Sequence, residues 1–160
     1  VLPEAQLDRF MFKVFVPQPN REERKAINEL NRKTQKPQAE AVVTLEALEK
    51  ATLLAERVTM SEAVSEYIQD ILDAASDPFT VGIGQKGLVQ GTVVTRASIM
   101  MEKAARIHAM MAGRSYVKPE DVQAVAPRIL RHRIILSYAA GDMTTDQLIA
   151  EILMTVPVRR

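Results

Sequence analysis

The sequence predicts a mainly α-helical protein: a bundle of about five to six helices preceded by one β-strand. Three observations carry this. Aromatics make up only 4% of the chain, so the core must be aliphatic, a palette suited to packed helices rather than to a sandwich of strands. Beyond position 20, apolar residues recur at helical spacing, with hydroxyl, proline and glycine residues where helices would start and stop. Only residues 10–16 alternate with the period of two that a strand needs.

In that strand Phe10, Phe12, Val14 and Val16 share one face, and the other face is apolar apart from Lys13. A strand apolar on both faces belongs inside a covered sheet, and it cannot satisfy its backbone alone. Its sheet partners are therefore expected outside this chain. Pro17 and Pro19 end it and mark a domain boundary. Arg21 to Lys33 reads as a charged surface helix anchored by Ile27 and Leu30. Thr44 can cap a second helix running to about Val58. Ser61 can cap a third, in which Val64, Tyr67, Ile68, Ile71, Leu72 and Ala75 follow the spacing of one helical face.

The stretch from Asp77 to Gly91 holds Gly82, Gly84, Gly87 and Gly91 and reads as a loop with a short hairpin. A fourth helix runs from about Thr95 to Met111 and stops at Gly113, which can take the left-handed conformation that ends helices. Pro119, followed by Glu120 and Asp121, opens a fifth helix with acids at its positive end. Its apolar positions are Val122, Val125, Ala126, Ile129 and Leu130. Thr144 and Gln147 form a capping box for a last short helix through Leu153.

Composition excludes several function classes. With 21 basic and 20 acidic residues there is no electrostatic case for a nucleic-acid or membrane partner. The absence of Cys removes disulfides, thiol catalysis and thiolate metal sites, and fits a cytoplasmic protein. No apolar run approaches the roughly 20 residues of a membrane span. Glu4, Asp8 and Arg9 stand where a signal peptide would be apolar, and Val1 in place of Met hints at a truncated chain.

A phosphate-cradling loop needs Gly-x-x-x-x-Gly-Lys-Ser/Thr. Gly82-Ile83-Gly84-Gln85-Lys86-Gly87 has glycines and a lysine in another order, with no hydroxyl after the lysine. No apolar run ending in Asp-Glu is present to hold Mg²⁺, so this chain alone is expected to be inactive in hydrolysis. No metal site is expected either. His108 falls within the apolar arc of the fourth helix and reads as a hydrogen-bonded core histidine. His132 lies in Arg131-His132-Arg133, a setting hostile to cations.

Two arginines remain. Arg9 follows Leu7-Asp8 and immediately precedes the strand; an Arg beside an Asp is most often a local ion pair worth little, and spacing alone does not argue otherwise. Arg96 sits in the first turn of the fourth helix, where its charge opposes the dipole. Either an anionic partner accounts for it, or it is a solvated residue on an exposed face beside Lys103 and Arg106.

Several segments resemble the MoxR family of AAA+ ATPases, in order along nearly the whole chain. They are Leu2-Pro3-Glu4-Ala5-Gln6-Leu7-Asp8-Arg9-Phe10, Gly113-Arg114-Ser115-Tyr116-Val117, Pro119-Glu120-Asp121-Val122, Ala126-Pro127, Leu130-Arg131-His132-Arg133 and Ile152-Leu153-Met154-Thr155-Val156-Pro157. The resemblance implies that residues 1–17 end an α/β nucleotide-binding core, with Arg9 as an arginine finger acting on a neighbouring subunit. Residues 18–160 would form the helical lid, with Arg96 as the sensor 2 arginine. It also implies ATP and Mg²⁺ as cofactors of a full-length ring-forming protein, with the phosphate loop and metal-binding acids in the part preceding this chain. The implied partners are that core and its neighbouring subunits, and proteins carrying von Willebrand factor A domains; the implied work is chaperone-like remodelling or maturation of clients.

One motif departs: the family shows Gly-x-Ser-Pro-Arg at sensor 2, and this chain has Gly91-Thr92-Val93-Val94-Thr95-Arg96. Arg131-His132-Arg133 acquires no role from the resemblance and reads as a surface or interdomain contact. Two other classes stay open: a stand-alone helical interaction module without ATP chemistry, and nucleic-acid binding through Lys103, Arg106, Arg128, Arg131 and Arg133. Charge balance and scarce aromatics oppose the second.

Overall fold

A computed structural model describes residues 3–33, 38–91 and 95–158. After a single helical turn, α1 (Glu4–Leu7), come α2 (Arg21–Arg32), α3 (Leu45–Glu56), α4 (Glu62–Ser76), α5 (Thr95–Met111), α6 (Pro119–Leu130) and α7 (Thr145–Thr155). The predicted helical bundle is therefore present, with helix ends within a residue or two of those read from sequence.

The core forms around α4, whose predicted face is fully used: Val64, Tyr67, Ile68, Ile71, Leu72 and Ala75 are all buried. Ser61 accepts a hydrogen bond from the Val64 N–H at its start, which satisfies one of the otherwise orphaned donors. Met101 of α5, Ile129 and Leu130 of α6, and Leu148, Ile149 and Ile152 of α7 close around it. The one aromatic at the centre, Tyr67, keeps its hydroxyl satisfied by the Gln123 amide at 3.0 Å. Thr144 and Gln147 exchange both bonds of the expected capping box, at 3.2 and 2.8 Å. Helix α5 ends at Gly113 with φ +72°, and the Arg114 N–H then reaches back to the Ala109 carbonyl.

The glycine-rich stretch does not contain a local hairpin. A 3-10 turn over Pro78–Val81 leads to strand β1 (Val89–Gln90), which pairs antiparallel with β2 (Ile135–Leu136), beyond α6. Strands of two residues carry no readable periodicity, so their long-range pairing was invisible in sequence. Gly84, at φ +62°, lies so close to Leu88 that an added Cβ would stand 3.0 Å from its Cδ2. The glycine thus lets buried Leu88 reach the core.

Residues 10–16 pair with no strand among the described residues. The alternating pattern is real, yet Phe10, Phe12, Val14, Phe15 and Val16 stay exposed. Only Met11 in this stretch packs against the core. What fastens the segment to the bundle is polar, and it forms the candidate site.

Candidate functional site

The site is built from the turn after α1, the start of α5 and the residues just beyond α6. Leu130 and Ile134 are buried, and this brackets Arg131-His132-Arg133 against the core. Arg133 is not a surface residue: its side chain is only 3% exposed. Its Nε donates to Asp8 Oδ1 at 3.0 Å, and its Nη2 lies 2.9 Å from both the Asp8 and Phe10 carbonyl oxygens. Nη2 also lies 2.9 Å from the Met100 sulfur, while Nη1 donates to the Ile129 carbonyl and lies 2.9 Å from His132 Nε2. A planar guanidinium with five donors can meet so many acceptors; an ammonium cannot. Burial pulls the Arg133 pKa below its ordinary value, and the hydrogen bond and charge of Asp8 work against that.

His132 Nε2 also lies 2.9 Å from the Phe10 carbonyl. Burial lowers the His132 pKa, and the nearby charges of Arg133 and Lys13 lower it further, against opposing effects of the Phe10 carbonyl and Asp8. A neutral His132 ring either accepts at Nε2 from Arg133 Nη1 or, in the other tautomer, donates from Nε2 to the Phe10 carbonyl, and its Nδ1 is buried without a partner among the described residues. Arg131 completes the attachment: its Nη1 donates to the Lys13 carbonyl at 3.1 Å, its Nε to Asp146 at 2.7 Å, and its guanidinium lies 4.7 Å from the centre of the Phe15 ring. The Lys13 N–H in turn donates to the Arg128 carbonyl. The cluster is thus a contact between the segment ahead of Pro17 and the helices after it.

Asp8 divides its carboxylate. While Oδ1 takes Arg133, Oδ2 takes Arg96 Nη1 at 2.7 Å. Both Asp8 and Arg96 are about half exposed at this pair, 40% and 47%. The positive charge at the start of α5 therefore has an anionic partner within the chain. Thr92–Val94, where the sensor 2 motif departs, lie outside the described residues. Arg9 stands beside these groups and shares none of them. Its side chain is exposed and forms no ion pair with a described side chain, so the expected local pair with Asp8 does not form.

Of the two predicted arginines, Arg96 pairs with Asp8, while Arg9 is joined to Asp8 only as its neighbour in the chain. Sequence reasoning read Asp8 only as a local partner of Arg9 and Arg133 only as part of a surface or interdomain contact, and missed that the two meet. The available signal was an arginine placed directly before a buried isoleucine. Chemically, Arg9 and Arg96 present cationic, hydrogen-bond-donating groups that fit an anion such as a phosphate. Among the described residues, no group of three or more His, Asp or Glu could hold a metal ion. Of the basic residues weighed for nucleic-acid binding, four are engaged within the chain: Arg106 pairs with Glu102, Arg128 bonds the Ala124 carbonyl, and Arg131 and Arg133 bond as described above. No helix among the described residues is long and apolar enough to cross a membrane.

A second acidic centre lies at the opposite end of α6. Asp121 is 1% exposed and receives Arg114 at 2.5 and 2.7 Å, the Lys118 N–H at 2.8 Å and His108 Nδ1 at 2.7 Å. His108 is hydrogen-bonded as expected, but it is not in the core: its side chain is 47% exposed. The Asp121 bond, not the apolar arc, sets its orientation.

The AAA lid domain family matches residues 85–152. Chaperone MoxR1 of Mycobacterium tuberculosis is 35% identical over 159 residues, 97% of this chain and 42% of that protein. Protein MoxR of Methylorubrum extorquens is 27% identical, over 97% of this chain and 48% of its own length. The crystal structure of a candidate ATPase from Cytophaga hutchinsonii superimposes with a TM-score of 0.89 at 31% identity, covering all of this chain and 50% of its own. The chain spans less than half the length of these curated relatives.

Proposed function

This chain belongs to the MoxR family of AAA+ ATPases, as the portion that carries the lid domain, and from that premise we propose that it delivers Arg9 and Arg96 to ATP bound in a longer, ring-forming protein. Arg9 is the arginine finger, reaching the nucleotide of a neighbouring subunit, and Arg96 is the sensor 2 residue. Residues 1–17 end the nucleotide-binding core and residues 18–160 form the lid. The observation that carries this reading is the state of Arg9: exposed and without an ion-pair partner among the described residues, although Asp8 is its chain neighbour.

Transfer of a γ-phosphoryl group to water spreads negative charge over its oxygens, and a rigid guanidinium placed there stabilises that charge selectively. ATP supplies the phosphoryl group; Mg²⁺ neutralises charge on its phosphates when bound by acids in the rest of the longer protein. What this chain contributes is position. Arg9 is held at the end of a short turn fastened to the lid, so lid movement and finger placement are linked. Such linkage suits a machine that converts hydrolysis into chaperone-like remodelling of client proteins. On family resemblance alone, von Willebrand factor A domain proteins are the partners to try first.

The test is steady-state ATPase activity of the longer protein carrying Arg9→Ala. Turnover should fall by about 10³-fold or more, with the KM for ATP nearly unchanged. Equal turnover in mutant and parent rings sinks the reading.

A second reading is favoured by one observation. Helix α3 leaves Leu45, Leu48, Leu53 and Leu54 more than half exposed, as a stand-alone interaction module would. Under that reading the chain takes no part in ATP chemistry, and Arg9→Ala changes partner binding or nothing.

A further inference from the structure

One side chain, Arg133, spans the residues on either side of Arg9, while His132 adds a contact at the Phe10 carbonyl and Arg96 one at the Asp8 carboxylate. Arg133 Nη2 takes the carbonyl oxygens of both Asp8 and Phe10 at 2.9 Å, and Arg133 Nε takes the Asp8 carboxylate at 3.0 Å. With its two flanking carbonyls turned onto one buried guanidinium, the peptide unit carrying Arg9 has little freedom to rotate, and the Arg9 side chain is left facing outward. The guanidinium is itself locked, by the Ile129 carbonyl at the end of α6 and by Met100 of α5. No apolar packing could do this work, because Phe10 and Phe12 are exposed and only Met11 packs inward.

We propose that Arg133 is the positioning residue for Arg9: a buried fork that fixes the Asp8–Phe10 backbone to the N-terminal half of α5 and the end of α6 and leaves Asp8 Oδ2 free to hold Arg96. This rests on the reading of Arg9 as a finger. It makes the joint between finger and lid a cluster of directed hydrogen bonds rather than a hydrophobic seam. Replacement by Lys keeps the charge but loses the planar fork, so at most one or two of the acceptors at Asp8 and Phe10 can be served.

The chain's lack of Cys permits a direct test. Spin labels at Arg9→Cys and Lys103→Cys, the latter on an exposed position of α5, report the finger-to-lid distance by pulsed dipolar spectroscopy. The parent should give one narrow distribution; Arg133→Lys should broaden it by about twofold, with helical circular dichroism unchanged. An unchanged width overturns the proposal. Should Arg133→Lys lose helicity, Arg133→Gln is measured instead, and an unchanged width there overturns it equally.

In the longer protein, Arg133→Lys should lower kcat by about 100-fold at constant KM for ATP. Full turnover in Arg133→Lys alongside an inactive Arg9→Ala would also overturn it. If Arg9→Ala keeps full turnover, the finger reading has failed, and the distance measurement still decides whether Arg133 positions residue 9.

Discussion

Two aspartates, Asp121 and Asp8, each gather two nitrogen-bearing side chains, and they do so in opposite ways. Asp121 is closed off: 1% exposed, with Arg114, His108 and a backbone N–H filling both oxygens. Asp8 is open: one oxygen is tied to buried Arg133, the other to half-exposed Arg96. A closed cluster gains strength from its low-dielectric surroundings and tolerates no loss of a partner. An open one can exchange the exposed partner for another ion at little cost. The first builds structure, joining the end of α5 to the start of α6. The second leaves one arginine detachable.

The comparison breaks most readily at Asp121. Its replacement by Ala strands Arg114 and removes the acid that caps α6, so we expect a loss of about 2–3 kcal/mol in urea unfolding. A loss below about 0.5 kcal/mol would mean that the closed cluster is no stronger than a surface pair. Acid sharpens the contrast. Burial pushes the Asp121 pKa up, but hydrogen bonds from Arg114, the Lys118 N–H and His108 outweigh it and hold the carboxyl well below the usual carboxylate range. The group therefore contributes stability that is present above the unfolded pKa of about 4 and lost as pH falls below it toward the lower folded value. Unfolding free energy measured from pH 5 downward should fall less steeply in Asp121→Asn than in the parent; parallel curves would remove Asp121 from the account. The smallest effect belongs to Arg96→Ala. An exposed pair should change stability by about 0.5 kcal/mol or less, and the difference should vanish in 1 M salt, where the Debye length is about 3 Å. A change above about 2 kcal/mol would show that Asp8 is not open after all.

These two clusters also mark where the sequence could be read and where it could not. Helices announce themselves by local rules: Ser61 and the Thr144–Gln147 box sit at the observed starts, and the six spaced apolar residues of α4 are all buried. Asp121 was legible as an acid at a helix start, but its partners Arg114 and His108 come from a turn and from the preceding helix. Asp8 meets Arg96 and Arg133 across most of the chain, a distance at which no periodicity reports. The same holds for β1 and β2. Residues 10–16 taught the reverse lesson: their alternation described a setting that the described residues do not supply. Arg9 and Arg96 were singled out from a motif and a misplaced charge; that Arg96 meets the Asp8 carboxylate is a property of the fold alone.

Helix α2 carries a different consequence. Asn20 and Glu23 close a full capping box at its start, yet the helix buries no side chain, and Ile27 and Leu30 remain half exposed. Twelve residues held only by their own caps and propensity sit near the margin of helix formation in water. In the chain by itself α2 should open and close independently of the rest, its amides exchanging with solvent long before those of α4. Whatever surface Ile27 and Leu30 meet would also decide how much of the time this stretch is helical at all.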